Sequence, residues 1–126
     1  MIPGAKASDF LSRLRGHVDV LGPNPRDDRD KGYVLRRALL LRALLLARHP
    51  QLVRGGRLSI DPGVLRAFLE VPSYVHGARS LEAIIEMCSL TGRLRYERSS
   101  LPAPHQLALH VDADAFLALV YADPTV

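Results

Sequence analysis

An arginine at the predicted start of a helix is the side chain in this sequence best suited to chemistry. Arg79 is followed by apolar residues at positions 81, 84, 85 and 88, which is the spacing of one helix face. The first turn of a helix presents unpaired backbone N–H groups and the positive end of the macrodipole. An arginine held there adds a planar, permanently charged donor of two hydrogen bonds. The pattern therefore predicts a binding site for a phosphate oxygen at Arg79.

The residues around Arg79 bear on the same prediction. Gly77 and Ala78 are small enough to let a ligand approach closely, and His76 could contact a phosphate, although a capping or solvent-exposed histidine is the commoner outcome. The alternative for Arg79 is an exposed side chain that pairs with Glu82 three positions later. A cation at a helix N-terminus costs about 0.3–1 kcal/mol, so the placement favours a function over a gain in stability.

A long apolar helix is predicted at the centre of the fold. Residues 33–48 are rich in leucine and alanine and are followed by His49-Pro50, where proline cannot continue a helix. Apolar residues cover nearly the whole circumference, which indicates packing on more than one side. The arginines of this helix point in several directions, and we expect each to be solvated or salt-bridged at the rim. They are Arg36, Arg37, Arg42 and Arg48.

Two shorter helices are predicted between this helix and position 92. Gly55-Gly56 marks a turn before residues 57–60, which alternate like a very short strand or an extended lead-in. Asp61 followed by proline is a helix start and predicts a helix over 61–71. The Arg79 helix is expected over 78–91, with Gly92 as its left-handed C-cap.

The hydrophobic period changes after Gly92. Alternation within 94–96 and 107–111 predicts two short strands, and Asp112 can cap a last helix. The predicted fold class is therefore mostly α (α+β), a small helical bundle with a short two-stranded β element near the C-terminus. Its core is expected to contain Leu40, Leu44, Leu65, Phe68, Leu81, Ile84 and Ile85.

Length and composition are those of an ordinary globular domain. The chain has 126 residues, of which 48% are hydrophobic and 24% charged, enough for a self-standing core. The apolar run at 38–47 is too short to span a bilayer, so we expect no membrane contact and a cytoplasmic protein. A net charge of +4 could attract nucleic acid. The arginines are scattered and interrupted by acidic residues, however, so the pattern does not favour that partner.

Motifs for independent catalysis are missing from the sequence. It contains no Gly-x-x-x-x-Gly-Lys-Ser/Thr, no Gly-x-Ser-x-Gly and no His-Glu-x-x-His, so no familiar nucleotide, nucleophile or zinc site is predicted. The five histidines lack metal-ligand spacing. The lone Cys88 occupies an apolar helical position and is expected to fill the core. We therefore expect a chain that binds no metal and is not catalytic alone.

The segment Gly77-Ala78-Arg79-Ser80-Leu81 resembles the sensor-2 motif in the C-terminal helical lid of AAA+ ATPases. In the protein-unfolding clade of that family, Gly-Ala-Arg-x-Leu leads into an apolar helix, and the order of elements over residues 33–92 is similar to that lid. The resemblance implies that Arg79 contacts the γ-phosphate of ATP, with His76, Gly77 and Ala78 beside it. ATP and its nucleotide-binding domain would come from a neighbouring segment, in cis or in trans, and a homo-oligomer is compatible with this role.

The resemblance divides the chain into three segments. Residues 1–32 would be an N-terminal extension with a Pro/Asp-rich loop, 33–92 the lid-like helical domain, and 93–126 a C-terminal strand and helix element. Two other functions stay open. A basic winged-helix-like module would place helix 78–91 in the major groove of DNA, but Glu82 and Glu86, a like-charged pair that indicates a solvated face, argue against it. The other open function is a ligand-free protein-interaction domain.

Overall fold

Helices make up most of the fold, which confirms the mostly α class. The computed structural model describes residues 22–122, so residues 1–21 of the predicted N-terminal extension and residues 123–126 lie outside the described part. Within it the helices are α1 (Tyr33–Arg48), α2 (Pro62–Glu70), α3 (Ala78–Met87), α4 (Pro104–Leu107) and α5 (Ala113–Val120), with single 3₁₀ turns at Pro50–Leu52 and Arg98–Ser100. No helix among residues 22–122 is long and apolar enough to cross a membrane.

Side-chain caps begin two of the helices where the sequence predicts them. The Asp61 carboxylate accepts hydrogen bonds from the backbone N–H groups of Gly63 and Val64, at 2.9 and 3.1 Å. Asp112 accepts one from the N–H of Ala115 at 3.1 Å. Both carboxylates therefore satisfy first-turn donors and face the positive end of a helix dipole.

The prediction that α3 continues to residue 91 is wrong. Its last residue is Met87, Cys88 is the C-cap, and Gly92 lies beyond the helix with a φ of 76°. The Ser89 N–H instead donates to the Ser100 carbonyl at 2.9 Å. The helix therefore ends at its C-cap Cys88, four residues before Gly92, and the chain turns there to form a tertiary hydrogen bond.

The small sheet lies earlier in the chain than predicted. Strands β1 (Val53–Arg54) and β2 (Arg57–Leu58) form an antiparallel hairpin. Gly55 and Gly56 connect them with φ values of 56° and 77°, and two successive positive φ angles are what a two-residue type I′ turn requires. The predicted turn and short strand are confirmed, whereas a sheet near the C-terminus is wrong.

Residues 94–96 and 107–111 do not pair as strands. Tyr96 makes one isolated parallel bridge to Ile60. Leu107 ends α4, and Val111 lies just beyond it; both are buried, whereas Leu109 is 63% exposed. The two buried residues, Leu107 and Val111, are four positions apart, which is the spacing of one face of a helical turn. The alternation of positions 107, 109 and 111 therefore does not indicate a strand here.

One hydrophobic core joins α1, α2 and α3 to the segment after residue 92. The rings of Tyr96 and Phe116 pack edge-on against Phe68, with centroids 5.7 and 5.4 Å away. Cys88 is buried as predicted; burial raises the pKa of its thiol to about 11, which keeps it protonated near neutral pH. Of the predicted core residues, Leu65 is partly buried and the others are fully so: Leu40, Leu44, Phe68, Leu81, Ile84 and Ile85.

Arg37 is fully buried, so the prediction of a solvated or rim arginine is wrong at this position. Its guanidinium donates to backbone carbonyls rather than to a carboxylate, and it lies 4.8 and 4.9 Å from the ring centroids of Tyr33 and Tyr74. Loss of water lowers its pKa, but an arginine starts so high that the charge persists. The accepting carbonyls are those of Pro23, Leu69, Val71 and Pro72, at 2.6, 2.9, 2.5 and 3.4 Å.

Replacing Arg37 with lysine should destabilise the fold strongly. A single ammonium has no fork to reach carbonyls on two sides, and each buried carbonyl left without a donor costs about 1–3 kcal/mol. We expect Arg37→Lys to lower the free energy of unfolding by about 3 kcal/mol or more in urea denaturation. Arg42→Lys, an exposed change on the same helix, is the matched control and should cost under about 0.5 kcal/mol. Equal stability of the two variants would contradict the role given to Arg37.

Gly63 allows α2 and α5 to approach each other closely. A Cβ atom at this position would lie 2.0 Å from the carbonyl oxygen of Val120, much nearer than atoms can pack. Arg66 adds to the same contact, because its guanidinium donates to the carbonyls of Leu119 and Ala122 at 3.2 and 3.1 Å. The absence of a side chain at Gly63 therefore lets the end of α5 approach α2, and the hydrogen bonds of Arg66 hold it there.

The sign of the change in unfolding free energy in Gly63→Ala shows whether close packing or helix propensity dominates at this position. Propensity alone predicts a gain of about 0.5–1 kcal/mol, whereas forcing α5 away predicts a loss of about 1–3 kcal/mol or more. We expect the loss, measured by thermal and urea unfolding. Ala118→Ser, on the exposed side of α5, serves as the control. A more stable Gly63→Ala variant would show that the helices part at little cost.

Candidate functional site

The four residues predicted to bind phosphate lie together on one cavity. The cavity has a volume of about 480 Å³ and opens at the corner where the chain enters α3. A cavity of this size is within the range of ligand sites. Its walls are formed by Gly22, Pro23, Leu40, His76, Gly77, Ala78, Arg79 and Glu82.

Backbone geometry at Gly77 leaves the start of α3 open. Its φ and ψ are 60° and −134°, a backbone conformation that residues with a Cβ atom rarely adopt. Gly77 has no side chain to cap the helix, and the Ser80 hydroxyl instead accepts the N–H of His76 at 2.9 Å. Within residues 22–122, the backbone N–H groups of Ala78 and Arg79 have no acceptor. Two donors therefore remain for a ligand at the positive end of the helix.

Arg79 is exposed and forms no hydrogen bond or ion pair with the described part of the chain. The alternative prediction paired it with Glu82, but Glu82 accepts a hydrogen bond from Arg48, as does Glu86 at 2.5 Å. The prediction that Arg48 is solvated or salt-bridged at the rim is confirmed, because it pairs with both carboxylates. Because Arg48 compensates the carboxylate in the cavity wall, Glu82 repels an incoming anion less than a lone acid would.

Asn24 fixes the start of the corner from a distant part of the sequence. Its amide donates to the Tyr74 carbonyl at 2.8 Å and accepts the Tyr74 N–H at 2.7 Å. The Tyr74 hydroxyl donates to the Phe68 carbonyl at 2.6 Å, and the Tyr74 carbonyl also accepts the Gly77 N–H at 3.1 Å. The role of Asn24 was not predicted, since nothing local to Gly22-Pro23-Asn24 indicates a partner 50 residues later.

Arg36 anchors the loop that carries Asn24. Its guanidinium binds both carboxylate oxygens of Asp30 at 3.0 and 2.6 Å and also donates to the carbonyls of Gly22 and Asn24, at 2.7 and 3.2 Å. Hydrogen bonding from Arg36, with help from the Arg26 backbone N–H, holds the pKa of Asp30 well below its usual range. The ion pair thus closes residues 22–30 over the start of α1.

A second histidine lies behind the corner. His110 Nδ1 is 3.1 Å from the hydroxyl of the buried Ser80, and its ring centroid is 6.3 Å from that of His76. The His110 carbonyl accepts the N–H of Val75 at 2.8 Å. This position of His110 was not predicted, because the alternation of residues 107–111 indicates a strand. The histidine instead ties the C-terminal segment to the residues just before α3.

The arrangement offers donors for an oxyanion. Two backbone N–H groups, a guanidinium and the His76 side chain border the cavity, and Glu82, the one carboxylate among its described lining residues, is paired with Arg48. Among residues 22–122, no group of three or more His, Cys, Asp or Glu side chains could hold a metal ion. A comparison of the chain with protein-family models, curated proteins and solved structures finds no match. The sensor-2 resemblance therefore stays a prediction.

Replacing Asp30 with asparagine should remove a pH-dependent part of the stability. A carboxylate whose pKa is lower in the folded state stabilises the fold above its unfolded pKa of about 3.9, and this contribution is lost as the pH falls through the folded value. At neutral pH, Asp30→Asn should be less stable than the wild type, and the difference should shrink as the pH falls from about 4 to about 2. Urea unfolding across that range measures it.

Asp28→Asn provides the matched control for this experiment. Asp28 is exposed in the same loop and forms no ion pair with a described residue, so its stability curve should follow the wild type. A constant difference between Asp30→Asn and wild type at every pH would contradict the ion-pair argument.

Proposed function

We propose that this chain is the lid, or small subdomain, of an AAA+ ATPase. Arg79 would contact the terminal phosphate of a nucleotide that is held by a separate nucleotide-binding domain. A charged donor is most valuable where negative charge is concentrated on a phosphoryl group. A rigid helical unit that gains or loses this contact would turn as one body, and so couple the state of the nucleotide to movement.

One observation carries the proposal: an exposed arginine without a described partner lies at an open helix N-terminus, on the wall of a cavity. The stability of the isolated chain does not explain it, because the helix dipole disfavours a cation there. The N–H groups of Ala78 and Arg79, which have no acceptor among the described residues, add two donors at the same end of the helix. A phosphate would satisfy all of these groups together.

The winged-helix alternative gains no support from these features. Its wing would consist of strands over 94–96 and 107–111, and in the described residues these segments are a single bridge, a short helix and a turn. Its recognition helix would be α3, where Glu82 and Glu86 contact Arg48. The two carboxylates share the single guanidinium of Arg48, so this ion-paired group has no net positive charge to attract the phosphate backbone of DNA.

Arg79→Ala should weaken phosphate binding by about 10- to 100-fold, the effect of losing a charge-assisted hydrogen bond worth about 1.5–3 kcal/mol. The probe is inorganic tripolyphosphate, titrated into ¹⁵N-labelled protein and followed by NMR. The amide signals of Ala78 and Arg79 should shift in the wild type. Arg95→Ala, the loss of another exposed arginine, should leave the titration unchanged and controls for net charge.

Two results would overturn the proposal. One is a titration that shifts the signals of other residues and leaves Ala78 and Arg79 unmoved, and the other is equal binding by Arg79→Ala and wild type. Duplex DNA binding that weakens steeply with salt would favour the nucleic-acid alternative instead. Where the chain is fused to or mixed with its ATPase, Arg79→Ala should also lower ATP turnover without loss of folding.

A further inference from the structure

The outward side of α1 carries an apolar stripe that the described fold leaves uncovered. Leu35 and Leu46 are 63% and 40% exposed, although leucine side chains usually bury most of their surface. Leu39 lies between them and is partly buried, and Arg42 on the same stripe is exposed. We call these four residues the outer face of α1.

The spacing of the outer face is that of a helix–helix seam. Positions 35, 39, 42 and 46 are separated by four, three and four residues, the repeat of a and d positions in a coiled coil. Helices pair through such a seam because its residues stay on one side over successive turns. The stripe is about 16 Å long. This length suits one short partner helix and a weak complex, well below the ~800 Å² per partner of a stable interface.

Arg42 determines the chemistry of that partner. It occupies a seam position and forms no ion pair with a described residue. Covering it with an apolar side chain would remove water from a charge without compensation, which is costly. A carboxylate opposite Arg42 would compensate the charge and, as polar seam residues do, set the register of the two helices.

A second copy of this chain does not meet that requirement. Whether two α1 helices pair in parallel or antiparallel, their Arg42 side chains come close to each other, and the outer face contains no acidic residue. A membrane surface is also a poorer fit, because helices that lie on membranes carry several cations beside the apolar face, whereas this stripe has one. We propose that the outer face of α1 docks an amphipathic helix of a partner protein, with a glutamate or aspartate facing Arg42. This site is independent of the Arg79 corner.

A charge swap tests the proposal. The probe is a synthetic helical peptide with the same four-three-four spacing, leucine at the first and fourth positions and glutamate at the second and third, so that one glutamate faces Arg42 in either orientation. A sister peptide carries lysine at the same two positions. Wild-type protein should bind the glutamate peptide about tenfold more tightly, since close interfacial charge pairs are worth at least that much. Arg42→Glu should reverse the preference. Fluorescence anisotropy gives both affinities, and circular dichroism confirms folding.

Control variants separate the docking face from general effects. Arg54→Glu makes the same change in net charge on the hairpin, where position 54 is opposite Arg57, and should keep the wild-type preference. Leu35→Gln should weaken both peptides without unfolding the protein, because Leu35 is exposed. Arg79→Ala should leave peptide binding unchanged, so failure of the phosphate site and failure of this face are distinguishable.

Three outcomes would overturn the proposal. The first is equal binding of the two peptides, or no binding, by the wild type. The second is a wild-type dimer in light scattering that Leu35→Gln dissociates, which would make a second copy the occupant. The third is binding to anionic vesicles that Arg42→Glu abolishes while neither peptide binds, which would identify a lipid surface.

Discussion

The buried guanidinium of Arg37 joins three parts of the chain around α1. A buried cation without a carboxylate is tolerated only when hydrogen bonds replace its water, and four backbone carbonyls and two aromatic rings do so here. Two of these carbonyls, from Leu69 and Val71, belong to the end of α2, where the helix dipole is negative. A third belongs to Pro23, next to Asn24, and Asn24 holds Tyr74. The buried charge therefore determines where the corner at Gly77 begins.

The open end of α3 follows from the same framework. With Tyr74 fixed, the chain reverses through a conformation that only glycine adopts easily, and a glycine at the N-cap has no side chain to accept a hydrogen bond from the first turn. Ser80, the residue that could reach back, is engaged with the His76 N–H and lies against His110. The N–H groups of Ala78 and Arg79, two residues of the cavity wall, therefore have no acceptor among residues 22–122. The proposed phosphate contact thus depends on tertiary constraints that act upstream of the helix.

Local signals predicted most of the helices and missed the connections between them. Asp61 and Asp112 were identified as caps, because a short polar side chain before an apolar periodic run acts on backbone groups within three residues. The Gly55-Gly56 turn is also a local signal, because glycine adopts positive φ angles without steric cost. The strand prediction at 107–111 failed because residues 107, 109 and 111 alternate while Leu107 and Val111 also have helical spacing. Five residues cannot distinguish the two periods.

The sequence by itself determined the helical class, the bounds of α1, the caps of α2 and α5, and the grouping of His76, Gly77, Ala78 and Arg79 at a helix start. All of these depend on interactions within a few residues. Only the tertiary structure decided which arginines are buried, paired or exposed. Arg37, Arg42 and Arg48 lie on one helix with the same side-chain chemistry. Their environments differ because the hydrogen-bond acceptors of Arg37 and Arg48 come from 14 to 38 positions away, and no local sequence pattern indicates such distant partners.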